Sequence, residues 1–125
     1  MRSNILEKYP SSDVRVYVVW FDMLPGDSRG LVDRKVLNDH RVANFYPNRV
    51  VGSWFAEHTG DAGIVWDAYF LYGPDASWTD EPGPLVSSGR SVIGSSGDLA
   101  VAFIGSFDNW RDRADLKKPP RRLAP

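Results

Sequence analysis

The feature that most constrains the fold is a pair of almost uninterrupted apolar segments, at residues 14–21 and 64–72. The first is rich in β-branched and aromatic residues, and from Val16 onward both faces of an extended chain would be apolar. This pattern is typical of a strand that is covered on both sides, as in the parallel sheets of α/β proteins. The sequence therefore predicts two buried β-strands at the centre of one layered body.

Two amphipathic helices are predicted to pack on these strands. One starts near Asn48, which can cap a helix, and the other near Ser96. In both segments apolar residues recur at three- and four-residue spacing, which gives a single apolar stripe. Shorter predicted elements are one or two helical turns in 31–38, an extended piece at 42–46 and a strand at 91–93.

The rest of the chain is predicted to be connections and a tail. Residues 73–90 contain three proline and three glycine residues and are predicted to form a long loop, which Trp78 anchors to the protein. Residues 111–125 are predicted to be a flexible, basic, proline-rich tail, because no apolar pattern remains there to be buried. We expect residues 1–110 to form one domain.

Charge and hydropathy exclude several classes of partner. The formal net charge is -1, so no overall field would recruit nucleic acid or an anionic membrane. No apolar run approaches the roughly 20 residues that span a bilayer, and the first residues lead into no apolar signal core. We expect a cytoplasmic protein with no nucleic-acid or membrane partner.

Three segments of the chain resemble bacterial thioredoxin-like domain proteins of poorly defined role. They are residues 14–27 (VRVYVVWFDMLPGD), 39–42 (DHRV) and 66–78 (WDAYFLYGPDASW). The resemblance extends over roughly residues 5 to 104. It implies a thioredoxin-like α/β fold, a two-layer or three-layer sandwich with a small mixed sheet, whose first strand and Cys-x-x-Cys helix would precede residue 5.

The chain departs from that family in its redox chemistry. It contains no cysteine, and a thiolate is the nucleophile of disulfide exchange. The family's active-site residues therefore have no positions here onto which they could be carried. We expect a redox-inactive interaction or ligand-binding module without a cofactor, although the distal part of a thiol oxidoreductase, separated from its cysteine-bearing half, is an open alternative.

The strand that the resemblance places before residue 5 would lie in the sheet centre, between segments 14–21 and 64–72. Without it, these strands must pair directly or accept an edge from elsewhere. Unpaired apolar edges favour association, so we expect a homodimer, an exchanged element or a partner protein that completes the sheet. The aromatic residues Tyr17, Trp20 and Trp78 are the candidate contact residues, since aromatic anchors dominate interface energies.

Asp67 is the candidate for chemistry, because strand alternation places it on one face of segment 64–72 and predicts partial burial. One interpretation is an acid/base enzyme that needs no cofactor and uses Asp67 with Asp22 or His40. The other, which we favour, is a structural carboxylate paired with Arg15, Arg41, an indole or a backbone amide.

Further candidate sites are weaker. Several acidic residues and both histidines lie on connections near the predicted carboxyl end of the sheet, but neither histidine has another at metal-ligand spacing, so no metal site is predicted. Ser96-Gly97 satisfies part of an anion-binding turn, and helix capping is the commoner explanation. The basic pairs of the tail are better explained by solubility than by nucleic-acid binding.

Overall fold

The computed structural model describes residues 1–80 and 83–116, with side chains up to residue 107. The architecture is mixed α/β, as predicted, and it contains small sheets and helices. The chain divides into two compact units, Met1–Ala68 and a second that begins at Tyr69. The single domain expected over 1–110 stays a prediction.

The first unit contains two short strands, one regular helix and three brief helical turns. A helical turn at Arg2–Leu6 precedes strand β1 (Val16–Val19), and two 3-10 turns, Arg29–Leu31 and Arg34–Leu37, lead to strand β2 (Val42–Phe45) and helix α1 (Val50–Thr59). The short helical turns expected in 31–38 and the extended piece expected at 42–46 are thereby confirmed.

Strands β1 and β2 pair in parallel, with Val16 opposite Val42 and Val19 opposite Phe45. The pairing continues one step beyond β1, where the Trp20 backbone N–H donates to the Phe45 carbonyl at 2.8 Å. A parallel pair needs a crossover connection, and residues 20–41 provide it. Segment 14–21 thus pairs with β2 and not with segment 64–72.

The predicted two-sided burial of segment 14–21 is wrong. Residues 16–19 form the expected strand, but none of them is buried, and Tyr17 is 67% exposed. The described part of the chain gives β1 a single neighbouring strand. An apolar pattern shows what a strand could bury, whereas coverage depends on neighbours that no local pattern specifies.

A buried arginine connects the N-terminal segment to the start of β2. The Arg41 side chain is 3% exposed, and its guanidinium donates to the carbonyls of Leu6 (2.8 Å) and Tyr9 (2.9 Å) and to the Ser12 hydroxyl (3.0 Å). Its charge is balanced by Asp39, which accepts from Nε at 2.8 Å and from Nη2 at 2.7 Å. These hydrogen bonds from Arg41 hold the pKa of Asp39 well below its ordinary value.

Helix α1 packs through a position that only glycine can occupy. A Cβ atom on Gly52 would collide with the Ile64 side chain and would lie 2.9 Å from the Val65 carbonyl oxygen. The helix ends at Gly60, whose φ of 73° gives the left-handed conformation that commonly terminates helices. The cap position is Arg49, one residue later than predicted, and Asn48 before it accepts from the Val50 backbone N–H through its Oδ1 at 3.1 Å.

The second unit contains two strands and a long helix. Strand β3 (Ala68–Tyr72) pairs with strand β4 (Leu85–Arg90), and helix α2 (Ser96–Leu116) packs against β4. Gly73 approaches Val86, whereas Tyr69 approaches Gly89. Contacts in this opposite order are those of an antiparallel pair.

Three boundaries in this region differ from the sequence prediction. The strand expected at 64–72 is regular only from Ala68, and Trp66 before it is 47% exposed. The loop expected at 73–90 contains β4 in its second half. The strand expected at 91–93 is a turn, in which Ser91 has a φ of 59°. The left-handed conformation of Ser91 prevents a strand at this position, because a residue in that conformation does not continue a regular β-ladder.

Helix α2 follows its predicted apolar spacing. Leu99 and Phe103 are both 7% exposed, and the rings of Phe103 and Phe107 stack at 5.9 Å. The helix continues to Leu116, into the segment that was expected to be a tail from residue 111. The remainder of that predicted tail, residues 117–125, lies outside the described residues.

Replacing Arg41 by methionine should lower the free energy of unfolding by about 3 kcal/mol, because it removes the guanidinium that donates to four acceptors in residues 6–12 and pairs with the Asp39 carboxylate. Urea denaturation of the purified chain measures this loss. The matched control is Arg15→Met, which removes an exposed ion pair with Asp13 and should cost no more than about 0.5 kcal/mol. Equal losses in the two variants would contradict the role given to Arg41.

Two glycine-to-alanine substitutions should shift stability in opposite directions. Gly52→Ala should lower the free energy of unfolding by about 1 to 3 kcal/mol, because the added methyl group overfills the contact with Ile64 and Val65. Gly105→Ala should raise it by about 1 kcal/mol, since Gly105 lies within α2 with open space around its Cα. Thermal and urea unfolding test both, and a stabilising Gly52→Ala would refute the packing of α1.

Candidate functional site

A small, open cleft lies in the first unit, at the carboxyl ends of β1 and β2. Ligands of α/β proteins commonly bind at this end of parallel strands. The cleft combines aromatic, cationic and amide side chains. Its lining residues are Trp20, Arg29, Val32, Arg34, Asn44, Phe45 and Tyr46.

The strand pairing fixes the aromatic side of the cleft. Trp20 directly follows β1, and its indole Nε1–H donates to Oδ1 of Asn44 on β2 at 2.8 Å. The register places Asn44 opposite Val18, so Trp20 and Asn44 project to the same side of the two-stranded sheet. The hydrogen bond therefore orients the indole ring and leaves the Asn44 amide group as a donor at the cleft.

Tyr46 is held at the edge of the cleft by a carboxylate. Its hydroxyl donates a hydrogen bond to Oδ1 of Asp22. This bond, together with desolvation and the negative charges of Asp22 and Asp27, raises the pKa of Tyr46 to about 12, against the opposing effect of Arg29. Tyr46 therefore keeps its proton and acts as a hydrogen-bond donor at every physiological pH.

The loop between β1 and the first 3-10 turn is closed by Asp27. Its carboxylate accepts from the backbone N–H groups of Leu24 (2.7 Å) and Met23 (2.9 Å), which lower the pKa of Asp27. Gly26 has a φ of 94°, as the third position of a type II turn after Pro25 requires. The turn predicted here from Pro25-Gly26-Asp27 is confirmed, and it leads the chain toward Arg29.

Two arginines supply the positive charge of the cleft. Arg29 and Arg34 lie in successive 3-10 turns, and neither forms an ion pair with a residue of 1–80 or 83–107, whose side chains the structure describes. Sequence reasoning did not select Arg29, Arg34, Asn44 or Tyr46. The usable signal was their position: the connection that carries Arg29 and Arg34 leaves the carboxyl end of β1, and Asn44 and Tyr46 lie at the carboxyl end of β2.

An exposed aromatic pair marks a second candidate surface of the same unit. Tyr17 on β1 and Phe45 on β2 are 67% and 51% exposed, and their ring centroids are 6.1 Å apart. In the register Tyr17 lies opposite Ala43, so these side chains share the face opposite to Asn44. We call Tyr17 and Phe45 the aromatic face.

The structure alters the interpretation of Asp67. This residue precedes β3, is exposed, and has a φ of 47°, so the expected partial burial is wrong. The reason is the late start of β3, which removes Asp67 from the strand alternation. The arginines considered as its partners are engaged elsewhere, Arg15 with Asp13 and Arg41 with Asp39.

Each of the remaining candidate residues predicted from the sequence contacts a different partner. Asp22 accepts from Tyr46, while His40 is exposed beside Asp39, with Nδ1 3.5 Å from its Oδ1. Trp78 belongs to the second unit, where it is 56% exposed and meets Tyr72 edge to face at 6.2 Å. Tyr17 and Trp20 lie on opposite faces of β1, so they contribute to different surfaces.

In residues 1–80 and 83–107, whose side chains the structure describes, no group of three or more histidine, aspartate or glutamate side chains lies close enough together to hold a metal ion. No helix within residues 1–80 and 83–116 has the length and apolar character needed to cross a bilayer.

Tyr46 should titrate later than an ordinary tyrosine, and Asp22→Asn should return its pKa toward the ordinary value of 10.0. Because the folded state holds a proton that the unfolded state releases from pH 10.0, this tyrosine contributes stability below that pH. The contribution is lost as the pH rises through about 12. Phenolate absorbance of the purified chain, with Tyr46→Phe to assign the signal, measures the shift. Asp13→Asn is the control and should leave the titration unchanged.

Comparison with known protein families, with curated proteins and with solved structures identified no match to this chain. Function must therefore be argued from the geometry of the described residues.

Proposed function

We propose that this chain is a redox-inactive binding module of thioredoxin-like type, which associates with a second copy of itself through the β1–β2 sheet. The observation that carries the proposal is the combination of a two-stranded sheet and the exposed aromatic face on it. Isolated two-stranded sheets are marginally stable in water and gain most from an added strand or a covering layer.

The backbone of β1 supports strand addition. In the parallel pair, the N–H groups of Val16 and Trp20 point toward β2, where they bond the carbonyls of Arg41 and Phe45. The alternate residues Tyr17 and Val19 therefore direct their N–H groups away from β2. No other described strand pairs with β1. A strand added at this edge would find these groups available.

The aromatic face supports a homodimer as the form of association. A symmetric dimer places the same patch of each copy against the other, so Tyr17 of one copy would approach the equivalent region of its partner. Tyrosine and phenylalanine contribute large contact areas at interfaces, and both rings are already held together on the sheet.

The thioredoxin-like ancestry is part of this proposal. It is supported by the segments in which the sequence resembles that family and by the order of elements, with a strand pair and a closing helix in the second unit. Without cysteine the module would bind rather than exchange thiols.

Sedimentation velocity of the purified chain over a wide micromolar range should show a concentration-dependent dimer. Tyr17→Lys should weaken dimerisation at least about tenfold, or about 1.4 kcal/mol, because a charge would be placed at the edge and an aromatic anchor removed. Circular dichroism checks that the variant folds.

The control for this experiment is Ile93→Lys, which adds the same charge at a side chain that is 88% exposed in the second unit. It should leave the dimer intact. A chain that stays monomeric at all concentrations, or equal effects of the two substitutions, would overturn self-association through the aromatic face.

A further inference from the structure

We propose that the self-association occurs by pairing of β1 with β1 of the second copy in one register, antiparallel, with the two-fold axis between the Val18 residues of the two copies. The two sheets then join into one continuous sheet. This inference rests on the proposed function, and it makes that function specific by naming the partner segment and its register. The backbone directions of β1, the symmetry of a closed dimer and the positions of aromatic and charged side chains carry it.

Alternate residues of β1 present their backbone groups to its open edge. Val16 donates its N–H to the Arg41 carbonyl at 3.0 Å, so Val16 faces β2. The N–H and C=O groups of one residue point to the same side of a strand, and this side alternates from residue to residue. Tyr17 and Val19 are therefore the two residues of β1 (Val16–Val19) whose backbone groups a further strand can reach.

A two-fold dimer can use this edge in the antiparallel direction alone. In an antiparallel ladder, hydrogen-bonded residues lie directly opposite each other and exchange both bonds, so an odd-numbered residue of one copy pairs with an odd-numbered residue of the other. In a parallel ladder, each residue bonds to the two neighbours of the residue opposite it. Two identical edges would then have to be offset by one residue, and that offset breaks the two-fold symmetry.

One antiparallel register uses the whole open edge. With Tyr17 opposite Val19 of the second copy, both outward-facing residues of both copies form hydrogen-bonded pairs within the regular strand. A register centred on Tyr17 or on Val19 would form a single such pair within β1 and would leave the other residue to pair beyond the strand. The register centred on Val18 therefore gives the most backbone hydrogen bonds from β1.

The same register extends the aromatic face across the dimer. Tyr17 and Phe45 lie on one side of the sheet, with ring centroids 6.1 Å apart. A two-fold axis perpendicular to the joined sheet keeps this side of both copies on one surface. Tyr17 then lies diagonally across from Tyr17 of the second copy, at about 7 to 8 Å, a separation that aromatic side chains can bridge. The rings of both copies form one continuous row.

The charge that precedes β1 also favours this register over earlier ones. Arg15 has its backbone groups on the open edge, and its side chain is 61% exposed. An axis at Arg15 would place two guanidinium groups opposite each other, and directly opposed like charges are destabilising. With the axis at Val18 the two arginines are about 20 Å apart along the strands, which exceeds the screening length of about 8 Å at physiological salt.

Because the chain contains no cysteine, single cysteine substitutions test this register directly. Val18→Cys should give a disulfide-linked dimer on mild oxidation, since the two copies of this residue would face each other as a non-hydrogen-bonded pair, with Cα atoms about 4.5 Å apart. That separation lies within the range of about 4.4 to 6.8 Å that disulfides require. Denaturing electrophoresis without reductant measures the linked fraction.

The matched control is Val16→Cys, in the same strand, on the same side of the sheet and with the same intermediate exposure. In this register it lies about 13 Å along the strand from its own copy, so it should stay unlinked under the same oxidation. A second measurement mixes Tyr17→Cys chains with Val19→Cys chains. These should link to each other across a hydrogen-bonded pair, at a Cα separation of about 5.5 Å, in preference to linking with themselves.

Sedimentation velocity separates failure of the register from failure of self-association, and circular dichroism checks that each variant folds. A chain that sediments as a dimer but links equally through Val16→Cys and Val18→Cys, or through neither, would overturn the register and leave the proposed self-association standing. A chain that stays monomeric at all concentrations would overturn both.

Discussion

The first unit depends on one buried cation. Arg41 reaches four acceptors in residues 6–12 with its guanidinium, while its own backbone carbonyl accepts from Val16 at 3.0 Å. One residue thus connects the N-terminal segment, the start of β1 and the start of β2. Because a buried guanidinium must have its charge and its donors satisfied, Asp39 is as necessary to this arrangement as Arg41.

This connection also positions the cleft at the other end of the strands. With Val16 set opposite Val42, the register places Val18 opposite Asn44, and Trp20 follows beyond the end of β1 where its indole meets Asn44. A shift of one residue would turn Asn44 to the other face and break that bond. The geometry of the cleft is therefore a consequence of the strand register, which begins beside Arg41.

The aromatic face and the Trp20–Asn44 pair lie on opposite sides of the same small sheet, and Phe45 of the aromatic face also borders the cleft. Tyr17 and Phe45 extend from one face, and Trp20 and Asn44 from the other, because side chains alternate along a strand. A sheet of two strands has too few neighbours to cover both faces, so both remain accessible within this unit. Because few neighbouring elements cover its faces, the sheet is less stable, but both faces are available for binding.

Local sequence patterns were sufficient to predict the mixed α/β class, the strand within 14–21, the helices after Asn48 and near Ser96, and the turn at Pro25-Gly26-Asp27. These features follow from local periodicity and from residues with restricted backbone preferences. The tertiary structure alone decided that Arg41 is buried, that Asp67 is exposed and that the arginines of the crossover line a cleft. Such outcomes depend on pairing and coverage between residues far apart in the chain, which local patterns do not encode.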